Sequence, residues 1–141
     1  MAVRALHHVG ITVSDLNRSL DFYCGIAGFE VFSRRRMQGE WFDTLTHNQG
    51  ADIDVAQLRL GSFHFQLVQY MAAGGDVLAL AHHNVGNPHL CIDVDDVDAH
   101  HRLAVASELD PTPIVDILGS GIRSFYVHDP DRLPVEFLQG N

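Results

Sequence analysis

Four side chains with metal-ligating atoms stand at matching places in this sequence: His8, Gln66, His89 and Glu136. Two imidazoles and one carboxylate suit a divalent ion such as Zn²⁺, Fe²⁺, Mn²⁺, Co²⁺ or Ni²⁺. A glutamine oxygen adds a neutral donor and leaves room for water or a bidentate substrate. With a single carboxylate in the set, a bound ion keeps net positive charge. That charge favours chemistry in which an oxygen turns negative, such as loss of a proton beside a carbonyl. His64 shares the strand face of Gln66 by alternation and is the rival ligand there.

The matching places belong to an internal repeat, a signal that decides fold when it is present. His8-Val9-Gly10-Ile11-Thr12-Val13-Ser14-Asp15-Leu16 returns as His89-Leu90-Cys91-Ile92-Asp93-Val94-Asp95-Asp96-Val97, an offset of 89 − 8 = 81 residues. Phe65-Gln66-Leu67-Val68-Gln69 returns as Val135-Glu136-Phe137-Leu138-Gln139, an offset of 136 − 66 = 70. Both openings alternate with period two. Val9, Ile11 and Val13 share one face, as do Leu90, Ile92 and Val94, and each histidine opens the opposite face. Two copies are too few for a solenoid and imply two similar modules. Each module opens on a histidine and closes on an oxygen donor, so a pseudo-twofold pairing would bring all four to one point.

The elements that must position these residues follow in order. Residues 5–13 read as a strand. Ser14 or Asp15 caps a helix that carries Leu16, Leu20 and Tyr23 at helical spacing. It should end near Ala27-Gly28, where glycine suits a left-handed cap. Residues 29–37 read as a strand ending in Arg34-Arg35-Arg36, and 38–50 as irregular. Strands over 53–60 and 63–70 flank a tight turn at Gly61-Ser62. Residues 71–87 connect the modules, with a short helical turn expected at 77–81. Strand 89–94, a helix capped by Asp95 or Asp96 and running to about Glu108, and strands over 113–118, 122–127 and 134–138 complete the second module. Each module is thus strand–helix–strand–strand–strand. Hairpins outnumber parallel crossovers, so the class is α+β. The expected organisation is one domain over 1–141, with module one at 1–70 and module two at 88–141.

The chain resembles the vicinal oxygen chelate superfamily of glyoxalase I, methylmalonyl-CoA epimerase, extradiol dioxygenases, and fosfomycin and bleomycin resistance proteins. The resemblance rests on the repeated openings and on Ser19-Leu20-Asp21-Phe22-Tyr23 and Gln66-Leu67-Val68-Gln69-Tyr70. It also includes His128-Asp129-Pro130-Asp131 leading into Pro134-Val135-Glu136-Phe137. It implies paired βαβββ modules forming a cupped mixed sheet around one divalent metal ion, with His8, Gln66, His89 and Glu136 as ligands. Several members carry glutamate where Gln66 stands, and the present set looks most like the epimerase branch. For a base the resemblance implies Glu136 itself, loosened from the metal by substrate. Asp54 is the alternative, since it lies roughly where the epimerases carry a base on the third strand. Arg132 stands where the family often has glycine. The activity implied is a metal-dependent lyase or isomerase acting on a small molecule with vicinal oxygens. Two alternatives stand beside it: an Fe²⁺ ring-cleaving dioxygenase and a resistance-type binding protein.

Other residues read more plainly. Arg34-Arg35-Arg36 can meet an anionic group, but a charged strand edge that blocks stray pairing is the commoner reason for such a run. His7, His47, His82, His83, His100, His101 and His128 read as solvated. Trp41, Phe42 and the apolar stretch 77–81 want burial, which points to a lid, core or homodimer interface. The 141 residues carry 9 basic and 18 acidic side chains, a formal net charge of −9, which argues against nucleic acid and anionic membranes. Cys24 and Cys91 form no disulfide framework, and no apolar run reaches membrane-spanning length. The expectation is a cytoplasmic protein.

Overall fold

The computed structural model describes residues 2–140. It divides into two compact units, residues 1–77 and 78–141. The division falls inside the expected connection.

In the first unit the order is β1 (Val9–Thr12), α1 (Leu16–Gly25), β2 (Glu30–Gln38), α2 (Glu40–Thr46), β3 (Asp52–Leu60) and β4 (Phe63–Ala72). The sheet order is β1-β4-β3-β2. β1 runs parallel to β4, and the other pairs are antiparallel. Asp15 caps α1 by accepting from Arg18 N–H at 3.0 Å. Gly28, at φ +76°, takes the left-handed turn into β2. The β3–β4 hairpin closes at Gly61, whose φ of +57° suits the glycine expected there. Alternation buries Leu58, Phe65 and Leu67 against Leu16 and Tyr23 of α1, where Tyr23 meets Phe65 edge-on at 5.2 Å.

The second unit repeats this plan with β5 (Leu90–Asp93), α3 (Val97–Ala106), β6 (Val115–Asp116), a 3₁₀ turn at Ile117–Gly119, β7 (Arg123–His128) and β8 (Pro134–Gln139). The order is β5-β8-β7-β6, with β5 parallel to β8. Its core is Val97 and Ala104 of α3 against Phe125, Val127, Val135 and Phe137. The two βαβββ units therefore share one topology, and the class is α+β.

The repeat extends to single hydrogen bonds. Leu16 N–H donates to Gln69 Oε1 at 2.8 Å, and Val97 N–H to Gln139 Oε1 at 3.0 Å. Val13 N–H donates to the Val68 carbonyl, and Val94 N–H to that of Leu138, both at 2.8 Å. In each unit a glutamine from the last strand satisfies one of the free donors at the start of the helix.

Four elements differ from expectation. Residues 2–8 lie outside any strand, so β1 is shorter than 5–13. The segment read as irregular contains α2, which Phe42 anchors among Ala51, Ile53 and Val55 on the sheet face opposite α1. Residues 77–81 form no helical turn, and the strand expected over 113–118 is reduced to Val115–Asp116. Among the described residues no helix is long and apolar enough to cross a membrane.

Candidate functional site

Strand register decides which side chains share a face. In the first unit Gly10 pairs with Gln66, Gln66 with Gln57, and Gln57 with Ser33. Directly paired residues project from the same side, so these four form a row across the sheet. The side chain of Gln66 lies beside Gly10, where an added Cβ would stand 3.7 Å from Oε1. The row faces away from α1, because Phe65 and Leu67 occupy the helix side. His8 is exposed just ahead of β1, with its Nδ1 2.8 Å from Nδ1 of His7. His64 shares the strand phase of Gln66; its ring lies 5.4 Å from Phe32 and 6.4 Å from His7.

Asp54 falls on the other side. It pairs with Gln69, three residues from Gln66, and therefore projects toward α1. There Arg34 engages it, with Nη2 2.7 Å from Oδ2, while Nη1 of Arg34 donates to Asn17 of α1 at 2.9 Å. Asp54, the alternative base, thus lies on the sheet face opposite to that of Gln66, and its carboxylate is held in an ion pair. Arg36 pairs with Asp52 at 2.6 Å, so two members of the arginine run make cross-strand ion pairs.

In the second unit the corresponding row is Cys91, Glu136 and Tyr126. Phe137 stacks on Phe125 at 5.3 Å toward α3, which sends Glu136 to the opposite face as alternation requires. Glu136 is nonetheless 9% exposed, unusually buried for a carboxylate. Its Oε2 accepts from the Tyr126 hydroxyl at 2.9 Å and lies 3.9 Å from Nε2 of His89. That gap is too long for a hydrogen bond. It is near the roughly 3.4 Å that separates two ligand atoms each about 2.1 Å from one tetrahedral ion. A half-exposed imidazole beside a shielded carboxylate is a donor pair that fits a divalent cation.

The surroundings of Glu136 keep its neighbours neutral. Burial, then the hydrogen bond and charge of Glu136, push the Tyr126 phenol up to about 12. Burial, then the Glu136 charge, push the Cys91 thiol up to about 11. Cys91 is exposed as a residue, but its sulfur faces the carboxylate. Both groups remain protonated near neutrality and present donors to Glu136. The ring of His82 meets Tyr126 edge-on at 4.6 Å and lies 6.5 Å from His89 and from His128.

His89 and Glu136 are thus brought together within one unit, while Gln66 stands in the equivalent row of the other with His8 at its strand entrance. Among the described residues, no group of three or more His, Cys, Asp or Glu side chains is close enough to hold a metal ion. Sequence reasoning missed Tyr126 and His82. Tyr126 was readable in principle: it alternates against Phe125 and Val127, so it belongs to the non-core face. His82 carried no such signal, since it lies in an irregular segment.

Comparison with known proteins gives three findings. Residues 5–137 match the model of the Glyoxalase/Bleomycin resistance protein/Dioxygenase superfamily. A 2-epi-5-epi-valiolone epimerase from Actinomyces sp is 32% identical over 143 residues, covering 95% of this chain and 78% of that protein. Two solved structures share the fold. A glyoxalase family protein from Bacillus cereus has a TM-score of 0.83 at 17% identity, covering 99% of this chain and 97% of the other. The fosfomycin resistance protein FosX from Listeria monocytogenes, complexed with Mn(II) and sulfate, has a TM-score of 0.66 at 18% identity, covering 99% and 95%.

Proposed function

Because this chain belongs to the glyoxalase/bleomycin resistance protein/dioxygenase superfamily, we propose that it is a metal-dependent isomerase or lyase, of epimerase type. Its substrate is a small molecule with adjacent oxygens. The observation that carries the reading is Glu136: a shielded carboxylate, 3.9 Å from a half-exposed imidazole, on the face of its sheet away from the core. The epimerase relative supports it, and FosX supports a divalent ion as the cofactor class. The proposed ligands are His8, Gln66, His89 and Glu136, with His64 the rival to Gln66.

A divalent ion held by these residues would supply positive charge next to an oxygen that becomes negative as the neighbouring carbon loses its proton. The chain's own part is proton transfer and orientation. Glu136 accepts the proton and returns it, a role suited to a carboxylate shielded from water. His89 and His8 must be neutral to act as donors. The Gln66 amide offers an oxygen and adds no charge. Asp54, engaged by Arg34 on the α1 side, is assigned the fastening of β3 to α1 in place of the base role. The two free cysteines, both exposed, suit a reducing compartment, and the reading places the protein in the cytoplasm.

Calorimetric titration of the purified chain with Mn²⁺, Zn²⁺ and Fe²⁺ tests the assignment. One ion per chain is expected, with binding nearly lost in His89→Ala and only weakened in Gln66→Ala. Glu136→Gln should keep partial affinity without turnover, because it removes both the charge and the proton acceptor. Preference for Fe²⁺ with consumption of O₂ would shift the reading to the dioxygenase. Unaltered binding in His89→Ala would overturn the ligand set.

A further inference from the structure

We propose that Tyr126 is a positioning residue for this site, fixing the plane of the Glu136 carboxylate so that one of its oxygens stays turned toward Nε2 of His89; the role rests on the metal reading above. The last torsion of a glutamate is broad, so nothing intrinsic fixes the plane of the carboxylate against the imidazole. The hydroxyl of Tyr126 supplies that constraint. It donates to Oε2 at 2.9 Å, and the same oxygen is the one 3.9 Å from His89. A bond from a neutral donor to a charged acceptor is of the stronger kind.

Tyr126 is itself held in place. Its backbone lies directly opposite Glu136 in the β7–β8 register. Its N–H donates to Thr112 Oγ1 at 2.9 Å. The rings of His82 and His89 lie 4.6 and 6.0 Å from the phenol ring, both at steep angles. The other unit supplies an internal contrast. There the neighbour of Gln66 in the equivalent row is Gln57, an amide opposite an amide. The residue directly opposite the carboxylate carries a hydroxyl, whereas the one directly opposite the amide does not. Groups that orient a metal ligand in this way typically alter affinity by about 10- to 100-fold when removed.

The experiment compares the full chain with its Tyr126→Phe variant, which keeps the ring and the His82 contact and deletes only the hydroxyl. Mn²⁺ and, separately, Zn²⁺ are titrated calorimetrically. The expected result is about 10-fold or greater loss of affinity at unchanged stoichiometry. A second measurement needs no metal: the NMR signal of the hydroxyl-bearing ring carbon of Tyr126 in the apo chain and in its Glu136→Gln variant. A shift on that substitution supports the hydrogen bond, and an unmoved signal overturns it. Equal metal affinity in wild type and Tyr126→Phe overturns the positioning role. A wild-type chain that takes up neither ion overturns the metal reading and this role with it. That outcome is told apart from failure of the hydrogen bond because the ring-carbon signal would still respond to Glu136→Gln.

Discussion

At the scale of single residues, burial changes what ordinary side chains do. His128 read as a solvated loop histidine, yet the structure places it at the end of β7 and partly shields it. Burial, followed by the charges of Arg132 and His82, holds it below its ordinary value of 6.5, against the opposing pull of Asp129 and Asp110. A histidine whose folded pKa lies below its unfolded one binds fewer protons in the native state. The stability it contributes is therefore present above about pH 6.5 and is lost as pH falls through the unfolded value toward the folded one. Melting temperature should drop between about pH 7.5 and 5.5, and His128→Asn should flatten that drop. Parallel curves for the two proteins would count against it. Arg132, in the turn after β7, adopts φ 73°, the left-handed conformation that glycine takes most easily. The turn thus keeps a glycine-like shape with arginine in it. Asp129 holds the turn by accepting from Asp131 N–H at 2.9 Å and Leu133 N–H at 2.7 Å.

At the scale of elements, α1 and α3 each have two first-turn donors satisfied by polar side chains, one from a local Asp cap and one from a glutamine of the last strand. Asp96 accepts from Ala99 N–H at 2.8 Å, and Gln139 accepts from Val97 N–H at 3.0 Å. Replacing Asp96 by Ala should cost about 1 kcal/mol, as loss of an N-cap does. Gln139→Ala should cost a similar amount, about 1 kcal/mol, because it leaves a shielded donor without its acceptor. Urea denaturation reads both, and unmoved midpoints would show that water replaces these acceptors freely. The Asp residue was visible as a cap signal. The Gln was not, because its partner lies 42 residues away in sequence. α2 was invisible for a related reason. Seven residues make no helical periodicity, and a helix that short gains its stability from tertiary packing, here from Phe42 against Ile53 and Val55.

At the scale of the whole molecule, the chain leaves apolar surface in water. Val3, Leu6, Val77, Leu78 and Val85 are 74–105% exposed, and Trp41 is 57% exposed. Large apolar side chains left in water favour association, and the expected partner is a second copy of the chain. Phe42 drops out of this argument, since it is buried within its own unit. Light scattering should give a homodimer at micromolar concentration, and replacing Val77 and Leu78 together by Ser should weaken it. A monomer throughout would count against the dimer.

The sequence by itself determined the repeat, and through it most of the fold. Period-two alternation sorts residues to strand faces without reference to anything distant, so Val9 and Ile11 separate from Gly10, and Val135 and Phe137 from Glu136. Capping acts over three residues, so Asp15 and Asp96 were legible. The repeated openings and the motifs leading into Glu136 carried the resemblance to the superfamily whose model matches residues 5–137. Only the tertiary structure decided which strands neighbour one another, and register depends on that. Register put Tyr126 opposite Glu136 and Gln57 opposite Gln66. It also sent Asp54 to the α1 side, where Arg34 meets it. A one-residue change of register reverses every such assignment. That is why the sequence could nominate the carboxylate of Glu136 but not the hydroxyl that orients it.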